Sequence, residues 1–481
     1  MFGDLLLAQY QNQTTAHPIG VFVLFVLGVA TLLVSRRWAL VPLLILACCV
    51  ASAQRFVIAS LDFNFLRVLV FVLAARIIIR NEATHWRWKP MDLVFLVWIA
   101  CATILYIVLH GTWQSFIYRL GILYDAIGLY FVTRLLIRDW ADVRAFVQTA
   151  AVLSVPVAMV FLVEHATRRN FFSIFGGVPE ITLMRDGRLR CQGPFSHPIL
   201  AGCFWISLTP LMAALWWRPG WNRLLAIIGV VAPMVIVYTC ASSTPVGGVF
   251  AGAVALAVLP LRRRMAWVRW GAVAMVLGLH LVMKAPVWHL ISRVSFARGS
   301  TGWYRYKLID DFITHFGDWW LIGTESRETW FGHGYWQITN QYVAEGVNGG
   351  LITLLLFLAV IALAFQGVGR IWRHAARRRY RIAPWAGAAR RLGGPRAVQP
   401  GSRAHFAMGW ALGTALFMHC VMFTGVAYFG QTILVWYVLL GMIGSLTPVL
   451  GPRRAPFGRR FRLQRRPALG VRPLRPAMPM P

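Results

Sequence analysis

The sequence predicts an all-α polytopic membrane protein with about 12–13 transmembrane helices. Its 481 residues are 58% apolar and only 13% charged, and the mean hydropathy is +0.62. Soluble domains carry about 45–50% apolar and about 25% charged residues. Apolar runs of helix length recur along the chain, and basic residues gather in alternate connections between them. These three observations exclude a soluble protein.

The apolar runs define the predicted spans. A bilayer core about 30 Å thick requires about 20 apolar residues in a helix. We find candidate runs near residues 17–35, 38–53, 64–80, 91–109, 117–137, 145–164, 197–216, 222–240, 246–260, 267–283, 349–366, 405–424 and 428–449. No signal-peptide cleavage site is evident, so we expect the first run to act as an uncleaved anchor.

The distribution of lysine and arginine predicts the orientation of these spans, because short cytoplasmic loops are enriched in both residues. The loop 367–404 and the tail 450–481 are rich in arginine and contain no acid, so both are predicted to be cytoplasmic. Counting back through the spans places the N-terminus outside. We therefore predict a single membrane domain, 1–449, followed by a basic, Pro/Arg-rich tail that is expected to be disordered.

Two long hydrophilic loops, 165–196 and 284–348, remain on the outer side. The second loop holds six of the sixteen acids of the chain, and no acid follows Glu345. The cytoplasmic connections are bare basic stretches, which serve as orientation signals and contacts for anionic lipids. Any catalytic residues are therefore expected in the outer loops.

The sequence lacks the motifs of several functional classes. The formal charge is +32, but the sequence contains no soluble basic face to which nucleic acid would bind. The chain has neither the glycine-rich loop of nucleotide-binding proteins nor cysteine spacings typical of a zinc site or a disulfide framework. We expect no metal, no cofactor and no nucleic-acid partner.

Several ionisable residues fall inside predicted spans, where they are costly. Arg76 and Arg134 lie near cytoplasmic ends and are predicted to extend to the interface. Arg119 lies near an outer end and is predicted to line a cavity. Asp125 lies deeper and requires a partner, for which Arg67 is a candidate. A structural ion pair and the wall of a substrate cavity remain alternatives for Asp125.

The first outer loop concentrates positive charge beside a helix start. Arg185, Arg188 and Arg190 precede a Gly-Pro break, and His197 and Pro198 open the next span. Guanidinium groups and free backbone N–H groups at a helix N-terminus suit an oxyanion such as phosphate. The alternatives are that the arginines contact lipid headgroups and that His197 only caps the helix.

The second outer loop contains an amphipathic segment over 303–316, predicted to lie as a helix on the outer leaflet with Arg305 at its start. Aromatic and amide residues follow over 333–345. Such residues suit carbohydrate, because rings stack on sugars and amides hydrogen-bond hydroxyls. An aromatic belt at the membrane interface is the alternative.

Two motifs carry a resemblance to a known family. Arg190-x-x-Gly-Pro-Phe-Ser-His197-Pro-Ile-x-x-Gly-x-Phe204 and the later Asn340-x-Tyr342…Glu345-Gly…Gly-Gly segment resemble signatures of the O-antigen ligase and O-antigen polymerase family. The resemblance implies a GT-C-like membrane glycosyltransferase on the outer face of the bacterial inner membrane. Its donor would be a glycan on undecaprenyl pyrophosphate, and its acceptor a hydroxyl of another lipid-linked glycan. It implies neither metal nor nucleotide.

The resemblance also implies roles for individual residues. Arg190 would stabilise the pyrophosphate leaving group, and Arg305 is similar to a second family arginine. The family's His-Asn pair reads Thr339-Asn340 here, which leaves His333 or Glu345 as the candidate base. The predicted catalytic residues are His333, Glu345 and Arg190, and the predicted substrate-binding residues are Arg188, Arg190, His197, Arg305, Asn340 and Tyr342.

The departures from the family pattern favour a polymerase of O-antigen or exopolysaccharide repeats. Besides the missing histidine, a Ser-Arg pair at the outer end of a middle span is replaced by Ser242-Ser243-Thr244. The alternatives are an O-antigen ligase to the lipid A core, a flippase for the same lipid-linked sugars, and a non-catalytic assembly or chain-length protein. A flippase predicts internal repeats and interrupted helices at the midplane, and the halves of the sequence show no such repeat.

Overall fold

Helices dominate the computed structural model, which describes residues 13–84, 86–293, 302–325, 330, 338–391 and 401–448, with the backbone alone at 292–293, 376–391 and 401–402. Among the described residues up to 167, the chain forms six α-helices and one hairpin before the first long loop. They are α1 (Pro18–Leu33), α2 (Val41–Cys49), β1 (Arg55–Ile58), β2 (Leu61–Asn64), α3 (Phe65–Ile79), α4 (Pro90–His110), α5 (Trp113–Leu136) and α6 (Trp140–Thr167).

The rest of the described chain contains the second hairpin and the remaining helices. They are β3 (Leu183–Arg185), β4 (Arg188–Arg190), α7 (Pro198–Ala213), α8 (Trp221–Cys240), α9 (Ser243–Ala257), α10 (Met265–Val282), α11 (Leu290–Arg293), α12 (Gly302–Thr314), α13 (Phe316–Trp319), α14 (Gln341–Arg391), α15 (Gly401–Met422) and α16 (Thr432–Leu446). Both hairpins are antiparallel and stand alone as two-stranded sheets.

Every predicted apolar run contains a helix, and the prediction of an all-α polytopic membrane protein is confirmed at this level. Within the described residues, eight helices are long and apolar enough to cross a membrane, and three further apolar helices have 15–16 residues. The run 38–53 is different, because its helix, α2, has only 9 residues. At 1.5 Å per residue this helix covers about half of a bilayer core.

The connections between helices meet in two groups, as the alternation of basic loops predicts. At one end, the basic end, Arg36 binds Asp142 at 2.6 Å, and Lys89 Nζ donates to the carbonyl of Thr447 at 2.6 Å. At the other end, the loop end, Gln431 Nε2 donates to the carbonyls of Val50 and Pro194 at 3.0 and 3.1 Å. The contacts agree with helices that run in alternating directions, whereas the side of the membrane that each end faces stays a prediction.

Two of the charged residues inside spans differ from their predicted behaviour. Arg76 and Arg134 do not extend to the interface, because both are buried in ion pairs. Arg76 binds Glu82 at 3.0 Å, and Arg134 binds Asp92 at 3.2 Å. A buried charge requires such a partner in a medium without water. Glu82 lies in the connection after α3 and Asp92 in the first turn of α4, and the apolar pattern of the spans predicts neither pairing.

The pairing of Asp125 is confirmed. Arg67 on α3 donates from Nε and Nη2 to the two carboxylate oxygens of Asp125 on α5, at 2.9 and 2.8 Å. Tyr124 donates to the backbone carbonyl of Arg67 at 3.1 Å. This two-pronged pair joins α3 to α5 near the loop end and holds both charges at a fixed position.

Helix α7 lies at the centre of the bundle and packs against α8, α9 and α15. Thirteen of its residues are buried, among them the fully enclosed Trp205. Gly202 allows this packing, because a Cβ there would lie 2.5 Å from the ring of Pro245 on α9. The loop that precedes α7 is therefore anchored to the most enclosed element of the protein.

Helix α14 is interrupted near the loop end by Gly349 and Gly350, whose backbone is not helical. Gly350 has φ +70°, and a Cβ there would lie 2.4 Å from the carbonyl oxygen of Leu321. The segment after α13 fills the break: Leu351 N donates to the Trp320 carbonyl at 2.8 Å, and Thr324 N donates to the Val347 carbonyl at 2.9 Å. The interruption therefore leaves few backbone groups without partners.

The predicted amphipathic helix forms as α12, and it packs on protein. Leu308 and Phe312 are buried in a cluster with Val343 and Val347 of α14. Asp311 is buried and bound by Lys307 at 2.6 Å. The apolar side of α12 is thus shared with the start of α14, and Ile313 remains exposed.

Candidate active site

A tight hairpin presents the arginines of the first long loop. Asp186 and Gly187 have φ +50° and +74°, the positive values that a two-residue type I′ turn requires. The turn pairs Arg185 with Arg188 and Leu183 with Arg190. Arg188 is exposed, whereas Arg190 is partly buried and turned toward the bundle.

The segment between Arg190 and His197 is fixed by the buried carboxylate of Glu164. Glu164 Oε2 accepts from the backbone N–H of Gly193 at 2.9 Å, and Oε1 accepts from that of Gln192 at 3.1 Å. Gly193 has φ +54°, and a Cβ there would lie 2.5 Å from the ring of Phe161. The Gly-Pro break is therefore a rigid turn, and only glycine fits at position 193.

His197 caps α7, as one reading of the sequence predicts. Its Nδ1 accepts from the backbone N–H of Ile199 at 3.1 Å, and Pro198 occupies the first helical position. Burial, together with the charges of Arg190 and Arg185, lowers the pKa of His197 to about 3. The ring is thus neutral at physiological pH, and with Nδ1 accepting, its proton resides on Nε2.

Arg305 turns inward from α12, as the sequence suggests. Its Nη2 donates to Oγ1 of Thr244, at the start of α9, at 2.9 Å. Gly425 leaves room for the acceptor of this bond, because a Cβ there would lie 2.7 Å from Oγ1 of Thr244. Burial and the charge of Arg185 lower the pKa of Arg305, and the same two causes lower the pKa of Arg190.

Arg185, Arg190 and Arg305 together form what we call the arginine cluster. Arg185 has a loose, exposed pair with Asp186 at 3.5 Å. Within the described chain, Arg190 and Arg305 have no carboxylate within 4.0 Å, and the Nε of each is buried without a hydrogen-bond partner. Guanidinium groups left in this state have strong unused capacity for a phosphate or carboxylate.

A cavity of about 520 Å³ opens among the helices at the loop end. This volume falls within the range of ligand cavities, about 300–1,000 Å³. The Arg67–Asp125 pair lies in one wall, and Arg119 lines the cavity as predicted, with its guanidinium 4.0 Å from the ring centre of Tyr106. Other polar or aromatic residues in the lining are Ser52, Gln54, Asn64, Trp98, Tyr118, Gln341, Asn348, Tyr428, Gln431, Trp436 and Tyr437.

Glu345 is the carboxylate of this cavity that lacks an ion pair within 4.0 Å in the described chain. Its two oxygens accept from Trp98 Nε1 at 3.0 Å and from Gln341 Nε2 at 2.8 Å. Arg119 interacts with it electrostatically. The carboxylate is held by neutral donors and faces a space large enough for sugar, which suits a group that accepts a proton.

The arginine cluster adjoins this cavity but does not line it. Gly430, in the cavity lining, has φ +58°, and a Cβ there would lie 3.1 Å from Oγ of Ser196. Ser196 follows the rigid turn and precedes His197, and its Oγ is buried without a hydrogen-bond partner. The turn 193–197, which follows Arg190, therefore contacts the cavity lining at Gly430.

The other predicted site residues have different positions. Asn340 is buried, and its Oδ1 accepts from the backbone N–H of Tyr342 at 2.9 Å. The hydroxyl of Tyr342 donates to the carbonyl of Cys420 at 2.9 Å. Neither residue lines the cavity, so their proposed contact with substrate stays a prediction. His333 lies outside the described residues.

Sequence reasoning missed Glu164, Trp98 and Gln341. A signal for one of them is present, because Gln341, Glu345 and Asn348 follow i, i+4, i+7 spacing and so share one face of α14. Glu164 and Trp98 lie in apolar runs far from both motifs, and no local pattern connects them to the site.

The described residues contain no group of three or more histidine, cysteine or acidic side chains arranged to hold a metal ion. Comparison of the chain with protein-family models, with curated proteins and with solved structures gave no match. The function therefore has to be argued from the arginine cluster and the cavity beside it.

Proposed function

We propose that the protein is a GT-C-like glycosyltransferase of the bacterial inner membrane that polymerises undecaprenyl-pyrophosphate-linked glycan on the outer face. The observation that carries the proposal is the arginine cluster, in which Arg190 and Arg305 face no carboxylate among the described residues. It adjoins a cavity of about 520 Å³ with the carboxylate of Glu345 in its wall. Positive charge and a sugar-sized space match the two halves of a glycosyl pyrophosphate.

In the proposed reaction, an acceptor hydroxyl oxygen attacks the anomeric carbon of the donor. The bond from that carbon to the phosphate oxygen breaks, and the pyrophosphate leaves with the electron pair. Arg190 and Arg305 stabilise the charge that develops on the leaving group, a task that a divalent ion performs in other transferases. The proton of the hydroxyl passes to Glu345, with His333 as the other candidate base.

His197 contributes a neutral donor to this arrangement. Because its Nδ1 is occupied by the helix cap, the Nε2–H is the group that remains for a ligand. A neutral ring beside Arg190 adds no positive charge to the arginine cluster, whose members already repel one another. We propose that His197 donates to an oxygen of the pyrophosphate while it holds the start of α7.

The test combines a gene deletion with point variants. The deletion is expected to abolish long surface chains while single repeat units still reach the surface. Full-length chains stranded on the lipid carrier would instead indicate the ligase, and intermediates trapped on the cytoplasmic side would indicate the flippase. Polysaccharide gels and mass spectrometry of lipid-linked intermediates distinguish these outcomes.

The variant Arg190→Ala is expected to lower sugar transfer at least a hundredfold while the protein still inserts and folds. The matched control is Arg169→Ala on the same loop, whose guanidinium is 71% exposed and pairs with Glu180 at 3.6 Å. Transfer by both variants is measured with purified protein and lipid-linked donor. Unchanged transfer by Arg190→Ala, or equal losses in the two variants, would contradict the pyrophosphate role.

A further inference from the structure

A second cavity, of about 620 Å³, lies at the basic end among α7, α8, α9 and α15. It is partly open to the surroundings of the protein, and apolar side chains provide most of its lining. Its charged lining residues are Arg262 and Arg403, and no carboxylate lines it in the described part of the chain. The cavity is separate from the loop-end site in both position and chemistry.

The lining that α15 contributes is ordered along the helix. Arg403, Phe406, Trp410, Thr414 and Met418 follow helical spacing, so they lie one below the other on one face. Trp410 is seven residues from Arg403, which places it about 10 Å further along the axis. The charge therefore lies at one end of this face, and the apolar residues lie deeper.

Two observations indicate that the cavity accepts a polar headgroup. Nε1 of Trp410 is buried and has no hydrogen-bond partner in the described chain. Arg262 lies 5.7 Å from the ring centre of Phe406 and donates to the Leu259 carbonyl at 3.1 Å, which holds its guanidinium near the cavity. No carboxylate of the described residues lies within 4.0 Å of Arg262 or Arg403 in an ion pair.

We propose that this cavity binds one anionic glycerophospholipid. Its phosphate lies at Arg262 and Arg403, an ester carbonyl accepts from Trp410 Nε1, and an acyl chain occupies the apolar interior. In a bilayer, an open apolar cavity is filled by lipid, and the two arginines decide which lipid fills it. They favour a net negative headgroup over a zwitterionic one, because the ammonium of the latter would lie beside them.

The ester contact selects the lipid class. An isoprenoid phosphate also combines a negative head with an apolar chain, but it has no ester carbonyl to accept from Trp410. A glycerophospholipid has acceptors both at the phosphate and one step deeper, in the same order as Arg403 and Trp410 along α15. The inference does not rest on the proposed sugar transfer.

The experiment measures lipid binding to the purified full-length protein in detergent by native mass spectrometry. Phosphatidylglycerol and phosphatidylcholine with identical acyl chains are titrated separately, and a long-chain polyprenyl phosphate is the third probe. We expect phosphatidylglycerol to bind about thirtyfold more tightly than phosphatidylcholine, from about 1 kcal/mol per arginine. Equal binding of the two phospholipids, or tighter binding of the polyprenyl phosphate, would overturn the proposal.

Variants locate the site. Arg262→Gln combined with Arg403→Gln is expected to remove the preference for phosphatidylglycerol, and Trp410→Phe to weaken both phospholipids several-fold. The control is Arg264→Gln, an exposed arginine of the same basic run outside the cavity lining, which is expected to retain the preference. An equal loss in the control would mean that surface charge, and not this cavity, selects the lipid. The wild-type selectivity tests the proposal even if a variant fails to fold.

Discussion

The arginines of this protein fall into two kinds. Arg67, Arg76 and Arg134 each bind a carboxylate in a buried or partly buried pair, which satisfies their charge within the fold. Arg190 and Arg305 bind none among the described residues, although both are partly buried and the Nε of each is enclosed. A buried guanidinium without a counter-ion is costly, so a site that retains two of them is organised for an anionic ligand.

The planar shape of Arg305 leads to a prediction for a conservative change. Arg305→Lys keeps the charge but removes the two-pronged donor geometry, and it loses the bond from Nη2 to Thr244. We expect at least a tenfold loss of kcat/KM for sugar transfer, measured with purified protein. The control Arg169→Lys, at an exposed surface pair, should retain full activity. Full activity in Arg305→Lys would show that position 305 supplies charge alone.

The lowered pKa of His197 leads to a prediction for stability against pH. The unfolded chain protonates this residue near pH 6.5, whereas the folded protein resists protonation down to about pH 3. Its contribution is therefore complete above pH 6.5 and is lost as the pH falls from 6.5 toward 3, by up to about 1.4 kcal/mol per pH unit. Thermal unfolding midpoints from pH 4 to 8 measure this loss.

His197→Asn separates capping from titration, because asparagine is a strong N-cap without a pKa in this range. The variant should lose less stability than the wild type on acidification, with Arg185 and Arg190 unchanged around it. His197→Ala should cost about 1 kcal/mol at neutral pH through the lost cap. If His197→Asn shows the same acid dependence as the wild type, another group controls it.

Among the elements, the break in α14 has a specific sequence requirement. Gly350 has φ +70°, and a Cβ would meet the carbonyl oxygen of Leu321 at 2.4 Å. Gly350→Ala is therefore expected to destabilise the protein by about 2 kcal/mol or more and to displace the segment that follows α13. Circular dichroism during heating in detergent measures the change.

The matched control for this change is Gly369→Ala on the same helix. Gly369 has open space around its Cβ position and no positive φ, so alanine there should be neutral or stabilise by up to about 1 kcal/mol. Equal destabilisation by the two variants would mean that the break does not depend on the backbone conformation of Gly350. The comparison therefore isolates the left-handed conformation from the loss of a glycine in general.

For the molecule as a whole, the arginine cluster leads to one prediction about the proposed reaction. The proposed sugar transfer should retain its full rate in excess EDTA, because in the proposed reaction guanidinium charge stabilises the leaving group. The rate is measured after chelation and again after addition of magnesium. A rate that falls with EDTA and recovers with magnesium would mean that a metal ion stabilises the leaving group, with Asp310, Asp311 or Glu325 as its candidate ligands.

Much of the fold follows from local patterns. Each apolar run becomes a helix, since its backbone groups can be satisfied within the helix itself. The alternation of basic loops predicts the two groups of connections, and the His-Pro dipeptide predicts the start of α7. These features depend on a few neighbouring residues, which is why the sequence alone determines them.

The pairing of distant residues was decided only by the tertiary structure. The sequence is compatible with several partners for Asp125. The packing of α3 against α5 brings Arg67 to it. Glu164 organises a turn about 29 residues away, and Glu345 takes its donors from Gln341 and from Trp98 on α4. Such contacts depend on which helices pack together, and apolar faces of similar composition do not encode that choice locally. The sequence by itself therefore determined the class, the helical runs and the arginine motif, while the packing of helices decided which charges are paired and which remain for a ligand.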